Sequence, residues 1–131
     1  AKDAALNADL LMAPTRIYVK LVSQLKEKIQ IKAMAHITGG GILGNVPRVM
    51  PEGTALKIQK WPWPDSFAEV QRRSGLNPIQ MLETFNCGVG FVFFIDPKDV
   101  SAVVTASHEF GWAAWKIGQV VKHQGEAIVL V

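Results

Sequence analysis

Ala35-His36-Ile37-Thr38-Gly39-Gly40-Gly41-Ile42-Leu43-Gly44-Asn45-Val46-Pro47-Arg48 passes from an apolar run to a helix-like run through three consecutive glycines. Lys32 to Thr38 predicts a short buried strand. Its alternation sets His36 and Thr38 on one face and Ile37 on the other. Ile42 to Val46 predicts a short helix that stops near Pro47, because proline has no backbone donor. Gly39, Gly41 and Gly44 also spell G-x-G-x-x-G between a strand and a helix, the context of a dinucleotide site. The helix is too short for that reading, since Pro47 and Pro51 interrupt it before any crossover to a parallel strand. Asp65, at about the distance of a ribose-binding acid, sits beside Trp63-Pro64 and not at a strand end. The stretch therefore argues against a doubly wound domain.

A more general chemistry remains. Glycines permit positive φ and close backbone approach, and a helix start offers free N–H groups to an anion. Thr38 adds a hydroxyl and Arg48 a guanidinium fork suited to phosphate. The alternative is a tight turn that needs glycine and binds nothing. His36 is either a satisfied core residue or, at the edge of an anion site, an acid or base working near neutral pH. Arg48 pairs either with phosphate or with Glu52.

Outward from this stretch, residues 1–13 read as a lead-in segment rich in Ala and Leu. Pro14-Thr15 reads as a helix start. Ile17, Leu21, Val22, Leu25 and Ile29 then mark one face of a helix over 16–29. Thr54 to Lys60 alternates as a strand. Trp61-Pro62-Trp63-Pro64 fits neither a central strand nor a helix. A helix over 66–74 is capped by Asp65 or Ser66, and Asn77-Pro78 opens another that runs to about Thr84. Gly88 to Ile95 is the strongest strand. A helix over 96–110 ends at Gly111. Residues 114–122 and 127–131 read as an antiparallel pair around His123-Gln124-Gly125-Glu126. The expected fold is α+β, one mixed sheet with helices packed on it.

The chain has 131 residues, about one domain. With 49% hydrophobic and 19% charged residues it is not a disordered chain. Fourteen Lys and Arg against eleven Asp and Glu give +3, but the basic residues are scattered and form no nucleic-acid stripe. The longest strongly apolar run, Cys87 to Ile95, is far short of the about 18 residues a membrane span needs. The N-terminus does not read as a signal peptide. The one cysteine, Cys87, excludes an internal disulfide and suits a reducing, cytoplasmic compartment. His108, His123 and Cys87 lack zinc-ligand spacing, so no metal is assigned. Trp61, Trp63, Trp112 and Trp115 are read as packing residues.

The stretch from Ala35 to Arg48 resembles the signature of the aminoimidazole ribonucleotide synthetase, or phosphoribosylformylglycinamidine cyclo-ligase, family. Ala13-Pro14-Thr15-Arg16-Ile17-Tyr18-Val19-Lys20 looks like the opening of that family's C-terminal domain, and Thr84-Phe85-Asn86-Cys87-Gly88-Val89-Gly90 like one of its strand starts. The resemblance covers residues 7 to 131. It implies an ATP- and magnesium-dependent ligase of purine biosynthesis, in which formylglycinamidine ribonucleotide is closed to aminoimidazole ribonucleotide with release of ADP and phosphate. It also implies a layered, partly ferredoxin-like C-terminal domain over 14–131. The N-terminal domain, absent here, would carry most of the nucleotide site and the homodimer contacts. The fragment alone would be inactive.

Residue by residue, the resemblance implies that Thr38, Gly39, Gly40, Gly41, Asn45 and Arg48 hold the ribose phosphate and that His36 works near the reacting group. Thr15 and Arg16 would face the same cleft, although Thr15 also reads as a simple N-cap. Asn86 would bind substrate or close a turn. Cys87 reads as a small buried residue and not a nucleophile. The sequence departs from the family at Gly44, where an acidic residue is usual. Two alternatives stay open: a non-catalytic module that binds a phosphorylated metabolite, and a related two-domain ATP-using enzyme. No nucleic-acid or membrane partner is expected.

Overall fold

The computed structural model describes residues 12–131. The 1–13 lead-in lies almost wholly outside them. In chain order the elements are α1 (Val19–Lys28), β1 (Ala33–His36), α2 (Gly41–Asn45), a 3-10 turn (Val46–Val49), β2 (Thr54–Ile58), α3 (Asp65–Ser74), α4 (Pro78–Thr84), β3 (Phe91–Phe94), a second 3-10 turn (Pro97–Asp99), α5 (Val100–Glu109), β4 (Gly118–Lys122) and β5 (Ile128–Leu130). The class is α+β, as expected. The sheet is not. Two separate sheets form in place of one, an antiparallel β1–β3 pair and a three-stranded sheet ordered β4-β2-β5.

The β1–β3 pair sits between two hydrophobic clusters because its side chains alternate. Ala35 and Val92 face a main core with Ile37, Ile42, Val46, Leu56, Ile58, Met81 and Leu82. Phe93 and Ile95 face a second cluster, where Leu21 and Leu25 of α1 meet Val103 and Ala106 of α5. That pattern is why β3 reads as almost continuously apolar: both of its faces are covered.

Residues 118–122 and 128–130 do not pair with each other. β2 lies between them, antiparallel to β4 and parallel to β5. Ala55, Leu56 and Ile58 of β2 are all buried, so this strand takes the centre. The largely exposed β4 takes an edge. The connecting chain swings around the start of β2, where His123 N–H donates to Gly53 O at 2.9 Å. A five-residue separation looks like a hairpin in sequence; the demand of β2 for two partners overrides it.

Two helix starts also needed the structure. α1 begins at Val19, not at Pro14-Thr15, so Thr15 caps nothing. Ile17 is 78% exposed and off the buried face. α3 is led by Pro64, with Asp65 already inside its first turn and no side-chain cap. α4 follows expectation: Asn77 and Gln80 form a reciprocal capping box ahead of Pro78. Trp61 and Trp63 pack on the main core and Trp112 on the second cluster, but Trp115 is 47% exposed.

Candidate functional site

The glycine loop is held from inside. Gly40 and Gly41 both adopt positive φ, +92° and +56°. Gly41 N–H donates to Thr38 O at 3.0 Å, and Gly44 N–H to Gly40 O at 2.8 Å. Asn45 is buried, and its Nδ2 donates to the carbonyls of Gly41 at 2.7 Å, Gly39 at 3.2 Å and Thr38 at 3.4 Å. Gly41 rests on the end of α4. A β-carbon there would overlap Leu82 O and come within 2.7 Å of Phe85 O. By contrast a β-carbon at Gly44 meets open space and its φ is ordinary. Glycine at 44 is therefore not a backbone requirement, whatever side chain relatives carry there. Thr38, Gly39 and Gly40 are exposed. So is Arg48, on the first 3-10 turn, and it makes no ion pair with Glu52.

A second tight turn packs near this one. Cys87 adopts φ +46°, the left-handed region, despite its side chain. Asn86 Oδ1 accepts from Gly88 N–H at 2.9 Å, and Val89 N–H donates to Asn86 O at 2.9 Å. The Asn86 carbonyl oxygen therefore closes the turn. Trp61 Nε1–H donates to Cys87 O at 2.9 Å, which explains the use of the Trp-Pro-Trp-Pro segment. The Cys87 thiol is fully buried and donates to Met81 O at 3.7 Å. Burial pushes it up to about 11. A thiol so hard to ionise is a poor nucleophile, in keeping with the sequence reading.

The large concavity lies elsewhere. A groove of about 1020 Å³ runs between residues 13–18, β3, and the chain from Trp112 to Val120. Thr15, Arg16 and Asn86 line it. His36, Thr38, Gly39, Gly40, Gly41, Asn45 and Arg48 do not. The sequence-derived residues thus divide into two places, a loop and a groove. They meet at the β1–β3 pair, where His36 lies opposite Phe91. His36 is exposed on its strand, not a core residue. Its imidazole lies edge-on to Tyr18 at 5.5 Å and stacks on Phe91 at 6.0 Å. Tyr18 and Phe91 belong to the groove wall.

The groove has a one-sided charge. Among the described residues its ionisable walls are Arg16, Lys32, Lys116 and the Tyr18 phenol, and no Asp, Glu or His lines it. Lys32 is paired with Asp96 at 2.7 Å, and that hydrogen bond holds the Asp96 carboxyl below its usual range. Arg16 instead lies over the Trp112 ring, 5.7 Å from its centre. Burial raises the Tyr18 phenol, with Arg16 opposing the shift. Tyr18, Phe91 and Trp112 were missed as site residues. They are far apart in sequence, and no local spacing brings them together. Among the described residues no group of three His, Cys, Asp or Glu can hold a metal ion. Among the described residues no helix is long and apolar enough to cross a membrane.

A cation-lined, aromatic-walled groove thus lies beside a glycine loop. The chain belongs to the family described as AIR synthase related protein, C-terminal domain, which it matches over residues 2–131. It is 42% identical over 126 residues to a phosphoribosylformylglycinamidine cyclo-ligase of Methylobacillus flagellatus, covering 94% of this chain and 36% of the relative. It is 43% identical over 127 residues to the Burkholderia multivorans enzyme of the same name, covering 95% of this chain and 36% of that one. The chain thus spans about a third of the length of these curated relatives.

Proposed function

We propose that this chain is the substrate-side lobe of a phosphoribosylformylglycinamidine cyclo-ligase. Its partners would be formylglycinamidine ribonucleotide, ATP and the N-terminal domain that supplies the rest of the length of the relatives, in a homodimeric whole. The observation that carries this reading is that, among the described residues, the groove wall holds Arg16, Lys32 and Lys116 and no carboxylate. A ring closure driven by ATP brings two sets of phosphate into one cleft, and such a wall favours both.

Bound nucleotide supplies the activation that lets the formyl-amide oxygen leave as phosphate while an amine of the same molecule closes the ring. The chain's own residues have three tasks. Thr38, Gly39, Gly40 and Arg48 offer the ribose phosphate an exposed loop backbone and a guanidinium. Asn45 and Gly41 act on the same phosphate indirectly, by fixing the shape of that loop. Arg16, with Thr15 and the Asn86 amide nitrogen, faces the groove and orients the remaining polar groups. His36, at the junction of loop and groove, gives or takes a proton near the closing ring. Among the described residues the groove offers magnesium no carboxylate, so magnesium is assigned to the other domain and no step is routed through it here.

The test is ADP release with formylglycinamidine ribonucleotide and ATP. The chain alone should give none. The chain joined behind the N-terminal two-thirds of the Burkholderia multivorans relative should give substrate-dependent turnover. Release by the chain alone, or a folded hybrid without turnover, overturns the reading.

A further inference from the structure

We propose that Tyr18 and Phe91 are positioning residues that hold the His36 imidazole in one orientation where the glycine loop meets the groove. This rests on the acid–base role proposed for His36. An exposed histidine on a two-stranded sheet ordinarily samples several rotamers, and a proton-transfer group gains from being held in one. Here the imidazole is flanked by two rings, Tyr18 edge-on and Phe91 stacked. Both rings are themselves packed against other rings. Phe91 is the cross-strand partner of His36 and is backed by Phe93 at 4.9 Å. Tyr18 is backed by Trp112 at 5.3 Å and touches Phe91 at 4.9 Å.

Gly90 completes the arrangement. Its φ is not in the left-handed region, so no turn demands glycine there. A β-carbon at this position would overlap the Tyr18 hydroxyl. Glycine 90 thus lets Tyr18 lie against the backbone just before β3, while Gly90 O accepts from Ile37 N–H at 2.9 Å beside His36. The same seat coincides with the start of α1 at Val19: Tyr18, the residue before it, lies between Gly90 and Trp112. The aromatic ring, not the hydroxyl, is what faces His36.

Two measurements test the proposal. In this chain, NMR couplings should report a single His36 χ1 rotamer for the wild type and for Tyr18→Phe, and averaged rotamers for Tyr18→Leu and Phe91→Leu. In the hybrid enzyme, Tyr18→Leu should lower kcat about tenfold with KM unchanged, Tyr18→Phe should restore it, and Tyr18→Leu should add no loss on top of His36→Ala. A single rotamer in both leucine variants, or losses that simply add to that of His36→Ala, overturns the positioning role. If His36→Ala leaves kcat unchanged, the acid–base reading fails instead, and the rotamer result distinguishes the two failures.

Discussion

At Asn45 one side-chain amide serves three carbonyls of the glycine loop; at Arg16, across the His36–Phe91 pair, a guanidinium rests on the face of Trp112 and is otherwise open to the groove. Both residues look like ligand-binding groups in the sequence. In the folded chain the first is committed to its own backbone, whereas the second, among the described residues, meets only a ring. The two regions therefore divide the work. The loop is built by its polar residues, and the groove presents them. Substitution in the loop is therefore expected to cost stability first, and substitution in the groove to cost the proposed anion binding first.

The largest effect that could break this comparison is at Gly41. Gly41→Ala places a β-carbon onto Leu82 O and fixes a side chain at φ +56°. We expect a loss above about 4 kcal/mol in denaturant unfolding, or no folded protein. A well-folded Gly41→Ala would show that the loop is not held as described. Next is Asn45→Ala, which leaves loop carbonyls unserved in a buried site. It should cost about 1–3 kcal/mol, whereas Arg16→Ala should stay within about 0.5 kcal/mol and weaken anion binding. Equal stability costs for the two would erase the distinction.

Cys87 gives a pH-dependent test of the neighbouring turn. Its folded pKa, about 11, lies above the roughly 8.5 of a free thiol. The native state thus keeps its proton where the unfolded chain has lost it. The Cys87 contribution to stability is complete below about pH 8.5 and falls as pH rises towards 11. Cys87→Ala should flatten that alkaline decline in unfolding free energy measured from pH 8 to 11, and alkylation of the native thiol at neutral pH should be slow. The smallest effect is at Gly44, which has open space and ordinary φ. Gly44→Ala should stabilise by about 0.5–1 kcal/mol, in contrast to its neighbour three residues earlier. A loss on thermal unfolding would mean that Gly44 is needed after all.

Much of this was legible in the chain itself. The strand–glycine–helix order at 33–45, the capping box at Asn77 and the apolar strand before Asp96 depend on residues within one or two turns of each other, and local rules recover them. The same rules set His36 and Thr38 on one face. They failed where a distant partner decided the outcome. Thr15 looked like a cap, but the helix starts only after Tyr18, whose hydroxyl lies against Gly90. Residues 118–130 looked like a hairpin, but β2 is buried enough to need a neighbour on each side. The Asn86 side chain was ambiguous until Gly88 N–H was seen to bind it.

The sequence by itself determined the class and the order of elements, because periodicity, glycine and proline act on the backbone locally, and it pointed to the family through the resemblance of residues 35–48, 13–20 and 84–90. Only the tertiary structure decided that the candidate residues fall into a self-braced loop and an open, cation-lined groove, and that an exposed histidine stands between them clamped by aromatics. Those aromatics lie at 18, 91 and 112, and the contacts among them are long-range packing between surfaces that no spacing along the chain encodes.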